Sequence, residues 1–253
     1  MTSGDVLLQT LTRVPLDQAN WAHMERVFLS ILLTRIKYVQ RTDDQAPCTF
    51  QEIIPGCQWI WDSVETPSSH SSSSDDQQPA QRLYTSSLSF LTAPLDLSVF
   101  IPHIVDLDCS VKKQLQLLSE CTNQKATVYC AKKGQQHFDG LVYLPNRNTQ
   151  TATTKLPLIC LIQIKSSAAN SSTCVSVETC KKVVEKFSKL KLKFSSRFHM
   201  ALLFISQQGG VKNSLQKASL DDDDNVVSSL YYLDCEAIAN KFVFPGIRHR
   251  FQS

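Results

Sequence analysis

Apolar and polar positions along the chain fall into blocks with different periods. Over residues 20–39, "NWAHMERVFLSILLTRIKYV", Trp21, Met24, Val27, Phe28, Ile31, Leu32, Ile36 and Val39 recur at steps of three and four. That spacing predicts a helix with a wide apolar stripe. A stripe this broad needs cover, so the N-terminal segment is expected to pack on the later domain or on a second chain. "FQEIIPGCQWIWD" adds apolar bulk around a Pro55–Gly56 turn. The pattern then stops: "TPSSHSSSSDDQQPAQR", 66–82, is almost without apolar residues and cannot repay the entropy of ordering, which predicts a flexible linker. The chain thus divides into an N-terminal helical segment (1–65), a linker (66–82) and an α/β domain (83–253).

Within that domain, "DCSVKKQLQLLSECTN" (108–123) predicts a helix with Val111, Leu115 and Leu118 on one face. "ATVYC" (126–130), "FDGLVYL" (138–144) and "LPLICLIQIK" (156–165) predict three strands, the last apolar on both faces and therefore central. "SVETCKKVVEKFSKLKLKF" (176–194) sets Val177, Cys180, Val183, Val184, Phe187, Leu190 and Phe194 at helical spacing behind a Ser176 cap. A buried strand at 199–206, an acidic loop at 220–225 and a strand running into a short helix (228–242) follow. The order helix, three strands, helix, strand, strand predicts an α/β sandwich whose first three strands meander before a helical crossover. No internal repeat is present.

Composition narrows the class without naming it. The 253 residues are 42% hydrophobic and 19% charged with a net charge of +3, fitting a globular protein but too mild to announce nucleic-acid binding by charge alone. Nine cysteines with no C-x-x-C pair suggest neither a zinc site nor a disulfide framework, and most, lying inside apolar runs, read as small core residues in a reducing compartment. The N-terminus lacks a signal-peptide core and no run approaches a membrane span, so the expected location is intracellular, in nucleus or cytoplasm. With seven glycines and no phosphate-loop motif, a glycine-rich phosphate cradle is not expected.

Candidate chemistry sits at two strand ends. In a meander the second and third strands are neighbours, which brings Asp139 at the start of one near Gln163 and Lys165 at the end of the other. Gln163 and Lys165, two apart, share a face. A helix, a strand, "FDG", a strand ending "IQIK", a helix and a strand together resemble the PD-(D/E)xK nuclease superfamily over roughly 105–206. Asp139 matches its motif Asp, Gln163 its D/E position and Lys165 its Lys. The Q-x-K form is similar to that of Mrr-like restriction endonucleases, and the strand ending also resembles the nuclease-like domain of Crinkler and retrotransposon-hot-spot proteins. Phe138 stands in place of the usual Pro, and Gln163 in place of a carboxylate, which weakens the charge of the site.

The resemblance implies a restriction-endonuclease-like αβββαβ sandwich with a mixed central sheet, an N-terminal helical segment added, and Mg²⁺ (or Mn²⁺) as cofactor. Asp139, the Gln163 side chain and the Ile164 carbonyl would supply oxygen ligands to the metal. Lys165 would orient the attacking water or offset charge on phosphorus. Glu120 on the preceding helix is either an additional catalytic carboxylate or a solvated helix residue, and His137 either a proton relay or a polar strand entrance.

Lys181, Lys182, Lys186, Lys189, Lys191 and Lys193 against Glu178 and Glu185 make the 176–194 helix basic. Lys181, Lys182, Lys186, Lys189 and Arg197 form either a solvated face or a ridge that holds nucleic-acid phosphates, with "RHRF" at 248–251 as an extension. Three readings follow. The first is a metal-dependent phosphodiesterase acting on DNA. The second is a catalytically inactive effector or a nucleic-acid- or protein-binding module on the same fold, with a homodimer or protein partner reached through the N-terminal helix. The third is an unrelated α/β interaction domain.

Overall fold

A computed structural model describes residues 21–42, 48–61, 90–95, 97, 100–121, 125–132, 137–145, 156–165, 175–206, 210–220 and 222–243. The predicted linker at 66–82 and the "RHRF" segment lie outside these residues. The elements are α1 (Trp21–Thr42), β1 (Cys48–Thr49), α2 (Phe50–Ile53), β2 (Gln58–Trp59), β3 (Pro94–Leu95), β4 (Phe100–Asp106), α3 (Val111–Glu120), β5 (Ala126–Cys130), β6 (Gly140–Leu144), β7 (Leu158–Lys165), α4 (Val177–Phe194), β8 (His199–Ser206), α5 (Val211–Ala218), α6 (Asp224–Val227), β9 (Leu230–Leu233) and α7 (Cys235–Ala237), which runs into a π-helical turn at Ile238–Phe242.

Seven strands form one mixed sheet in the order β2-β9-β8-β7-β6-β5-β4. β5, β6 and β7 are the predicted antiparallel meander, with Gly140 opposite Cys130 on one side and Ile162 on the other. β8 lies parallel to β7, β9 parallel to β8, and β4 parallel to β5. β7 is therefore central, and seven of its eight residues are buried, as an apolar run on both faces requires. The short β2 closes one edge antiparallel to β9, anchored by the Trp59 indole donating to the Val227 carbonyl at 2.9 Å. Before it, the Pro55–Gly56 turn needs glycine, because Gly56 has φ +89°.

The layers follow from handedness. The crossovers β4–α3–β5, β7–α4–β8 and β8–α5–β9 all step the same way across the sheet. Right-handed connections then place α3, α4 and α5 on one face. The aromatic contact of Tyr143 with Phe198, just past α4, and the packing of α4 on α5 agree with this. The opposite face would be bare without α1. Its apolar stripe, Val27, Phe28, Leu29, Ile31, Leu32 and Ile36, is buried and joins the same core cluster as the sheet. The cover it needs is thus the chain's own sheet, at β4 and β5. Burying six such side chains at roughly 1.5–3 kcal/mol each is the main force docking α1. The C-terminal turn locks the helix from outside: Arg35 donates to the carbonyls of Phe242 and Lys241, and Phe28 stacks with Phe242 at 6.5 Å between centroids.

Local signals set the element ends. Ser110 and Ser176 cap α3 and α4 by accepting from the backbone N–H of Lys113 and Thr179. The acidic run at 221–224 includes the cap of α6, where Asp223 accepts from Asn225 N–H at 3.1 Å. The described cysteines 48, 57, 109, 121, 130, 160 and 180 are all free thiols. Among the described residues no helix is long and apolar enough to cross a membrane.

Candidate functional site

Every parallel strand ends at the same edge of the sheet, and the antiparallel β6 begins there. Asp106, Cys130, Lys165 and Ser206 terminate β4, β5, β7 and β8, while Asp139 precedes β6. Crevices outside the carboxyl ends of strands are where open α/β sheets place their ligands.

Asp139 is fixed by its backbone on both sides. Its N–H donates to the Ile162 carbonyl at 2.8 Å, and its carbonyl accepts from Ala131 N–H at 3.0 Å. The side chain is held equally firmly: Oδ2 accepts from the Ile164 N–H at 2.5 Å and from the Gln163 amide. Gln163 is 3% exposed, and a buried amide must find partners. Its N–H₂ reaches both Asp139 and, at 3.3 Å, the Ile164 carbonyl. Gln163 therefore meets Asp139 as a hydrogen-bond donor and clamps the carboxylate in place. Among the described residues, Asp139 Oδ1 and the Lys165 ammonium make no hydrogen bond or ion pair.

Electrostatics bring in a residue that the strand-end pattern did not single out. Burial pushes the Asp139 carboxyl up to about 6, against the Ile164 N–H and the Lys165 charge, which both favour its ionised form. Glu25, in the first turns of α1, is pushed up to about 7, first by burial and then by the negative charge of Asp139, with Lys165 opposing. The two carboxyls and the ammonium thus act on one another at one sheet edge. Glu25 precedes Phe28 and Leu29 by three and four residues and so belongs to the buried stripe of α1. An acid on an apolar stripe was the available signal.

Gly140 lets α1 come this close. A Cβ there would meet Leu29 Cδ2 at 2.8 Å and the Tyr129 carbonyl at 3.1 Å. The same rim carries two exposed ion pairs, Arg26 to Asp106 at 3.3 Å and Lys132 to Asp108 at 2.7 Å.

The other candidates divide. His137 has φ +85° and feels Lys186, Lys165 and Lys182, with Glu185 opposing. Burial and these cations hold its imidazole below the usual value. Because α4 starts at the Lys165 edge and runs back along the sheet, Lys181, Lys182 and Lys186 stand at the site's edge and Lys189 lies further along. Arg197 follows the end of α4, at the opposite edge, after an 18-residue helix about 27 Å long. Lys182 and Lys189 pair with Glu178 and Glu185 at 2.7 and 2.6 Å. Lys191 turns inward, donating to Asn225 O and Ser229 Oγ, and burial lowers its ammonium to about 8. Glu120 is exposed, accepts from Gln116 of its own helix at 3.1 Å, and lines a depression made by α3 and its cap. No described contact brings it to Asp139.

Among the described residues no three His, Cys, Asp or Glu side chains stand together as a metal site. A cation here would draw on Asp139 and Glu25 together with neutral oxygens. Their chemistry fits a hard divalent ion, which takes carboxylate and carbonyl oxygens as ligands. Compared with family models, curated proteins and solved structures, the chain matches none.

Proposed function

We propose that the chain is a metal-dependent phosphodiesterase of the PD-(D/E)xK type acting on nucleic acid, DNA in the first instance. The observation that carries this reading is the Asp139 carboxylate, clamped by Gln163 and the Ile164 N–H and sharing its electrostatic field with Glu25 and Lys165. The meander β5-β6-β7, the crossover through α4 and the parallel β8 reproduce the element order of that superfamily, which supports the assignment of its fold.

Asp139 and Glu25 would hold Mg²⁺ or Mn²⁺, with the Ile164 carbonyl as a neutral ligand; Gln163, whose N–H₂ faces Asp139, would position that carboxylate rather than ligate the ion. When bound, the ion supplies Lewis-acid polarisation of the phosphate and a lowered pKa for a bound water. Asp139 contributes a fixed anionic oxygen, since its backbone and Oδ2 are already anchored and Oδ1 is left for the ligand. Lys165 places an ammonium where negative charge develops on the phosphoryl oxygens. Glu25 would supply a second carboxylate oxygen to the ion, adding the negative charge that Gln163 does not provide. Lys181, Lys182 and Lys186 hold backbone phosphates beside the centre, with Lys189 and Arg197 extending the contact along α4.

The test is cleavage of plasmid and single-stranded DNA with Mg²⁺, Mn²⁺ or EDTA, beside Asp139→Asn and Lys165→Met. Metal-dependent cutting should fall roughly 10²–10³-fold in each variant. Cutting that survives both changes, or none in the wild type, would sink the reading. One observation favours the alternative of a binding module: Asp139 already has two donors on Oδ2, one of them Gln163 where a carboxylate would add charge.

A further inference from the structure

We infer that His137 is a phosphate-contacting residue, forming with Lys182 and Lys186 a subsite for a nucleic-acid backbone phosphate adjoining the Asp139 centre. The inference rests on the phosphodiesterase reading only for the location of the scissile bond. His137 occupies the left-handed region, φ +85°, which a side chain with a Cβ adopts at a cost and which glycine would adopt freely. That turn lets Phe138 enter the core while Asp139 N–H reaches Ile162. A glycine would serve the turn alone. The imidazole is half-buried, and among the described residues it makes no hydrogen bond.

Its charged neighbours come from two elements: Lys182, Lys186 and Glu185 of α4, and Lys165 of β7. Glu185 is engaged by Lys189 at 2.6 Å, and Lys182 by Glu178 in an exposed pair, which is readily exchanged for a stronger partner. Lys186 has no ion-pair partner among the described residues. The surplus is positive, and an imidazole N–H set among ammonium groups has one chemically complementary guest, an anion with several acceptor oxygens. A backbone phosphate fits, because the same edge carries the Asp139 carboxyl and because phosphate contacts need charge and donors rather than base edges.

The experiment is binding of a short fluorescein-labelled single-stranded DNA in EDTA, read by anisotropy across a salt series. Lys182→Ala with Lys186→Ala should reduce the log–log salt slope by about 1.4, at ~0.7 for each phosphate no longer neutralised. Lys125→Ala with Lys217→Ala, just before β5 and at the end of α5 on the opposite edge of the sheet, should leave it unchanged. His137→Gly should weaken binding roughly tenfold while its urea midpoint stays level or rises, a divergence that a purely structural histidine would not produce. His137→Asn, which tolerates the same backbone and keeps a donor, should recover part of the loss. Wild-type affinity in His137→Gly, equal slopes in the two lysine pairs, or displacement of DNA by inorganic phosphate at constant ionic strength as easily as by unlabelled DNA would each overturn the inference. Because EDTA removes the metal, a protein that binds this way but never cleaves would refute the phosphodiesterase reading and leave the subsite standing.

Discussion

Gly140→Ala probes the contact that brings α1, and Glu25 with it, to the sheet edge. The added methyl would lie 2.8 Å from Leu29 Cδ2, 3.4 Å from Leu29 Cδ1 and 3.1 Å from the Tyr129 carbonyl. Leu29 is 0% exposed, so its side chain has no open solvent to retreat into, and the Tyr129 carbonyl belongs to a paired strand. Overpacking of this kind costs roughly 1–3 kcal/mol. Gly140 is not among the glycines with positive φ, so alanine recovers about 0.4–1 kcal/mol through the unfolded chain. The net expectation is destabilisation by about 1–2 kcal/mol in urea unfolding of the metal-free protein followed by far-ultraviolet circular dichroism. Leu29→Ala alone should cost roughly 2–5 kcal/mol. The double variant should cost less than the sum by about 1 kcal/mol, since the smaller residue 29 makes room for the new methyl. A neutral or stabilised Gly140→Ala, or strict additivity, would refute the close packing of α1 against β6.

Titration offers two further checks. Glu25 and Asp139 are raised from 4.5 and 3.8 to about 7 and 6, so the folded state holds more protons than the unfolded one between those limits. Stability in EDTA should therefore be greatest near pH 4 and decline as pH rises to about 7, by up to roughly 3 kcal/mol for the buried Asp139 and by less for the half-exposed, solvent-screened Glu25. Glu25→Gln should flatten the upper part of that decline, and Mg²⁺ should raise the thermal midpoint at pH 8 but not at pH 4.5; thermal melts that leave the slope intact in the variant would count against Glu25. Lys191 moves the other way: lowered from 10.5 to about 8, it makes the unfolded state the better proton binder between those values. Stability should rise with pH across that window, and Lys191→Met should remove the rise in urea midpoints measured from pH 7.5 to 10.5.

What the sequence makes legible follows the length and regularity of each pattern. The α1 stripe, the meander, α4 with its Ser176 cap and the convergence of Asp139 with Gln163 are all readable, because period and strand adjacency are local properties. β4 is not, since Pro102 and a register shift between Phe100 and Ile104 interrupt the strand signal. α5 and α6 are eight and four residues long, too short for periodicity to stand out, yet α5 is the crossover that makes β9 parallel to β8. Glu25 is hidden for a different reason. Its partner Asp139 lies far along the chain, and only the docking of α1 on the sheet brings them together. Gln163 was legible as a strand-end polar group, but the direction of its amide depends on the buried Asp139 oxygen and the Ile164 carbonyl, which no spacing encodes.

The central claim is that Asp139 and Glu25 form one cation-holding pair. The direct measurement is Mn²⁺ binding followed by electron paramagnetic resonance on the full chain at pH 7.5. The account predicts one bound ion per chain, lost in both Asp139→Asn and Glu25→Gln and retained in Glu120→Gln. Mn²⁺ that stays free, or binding that survives loss of either carboxylate, would contradict it.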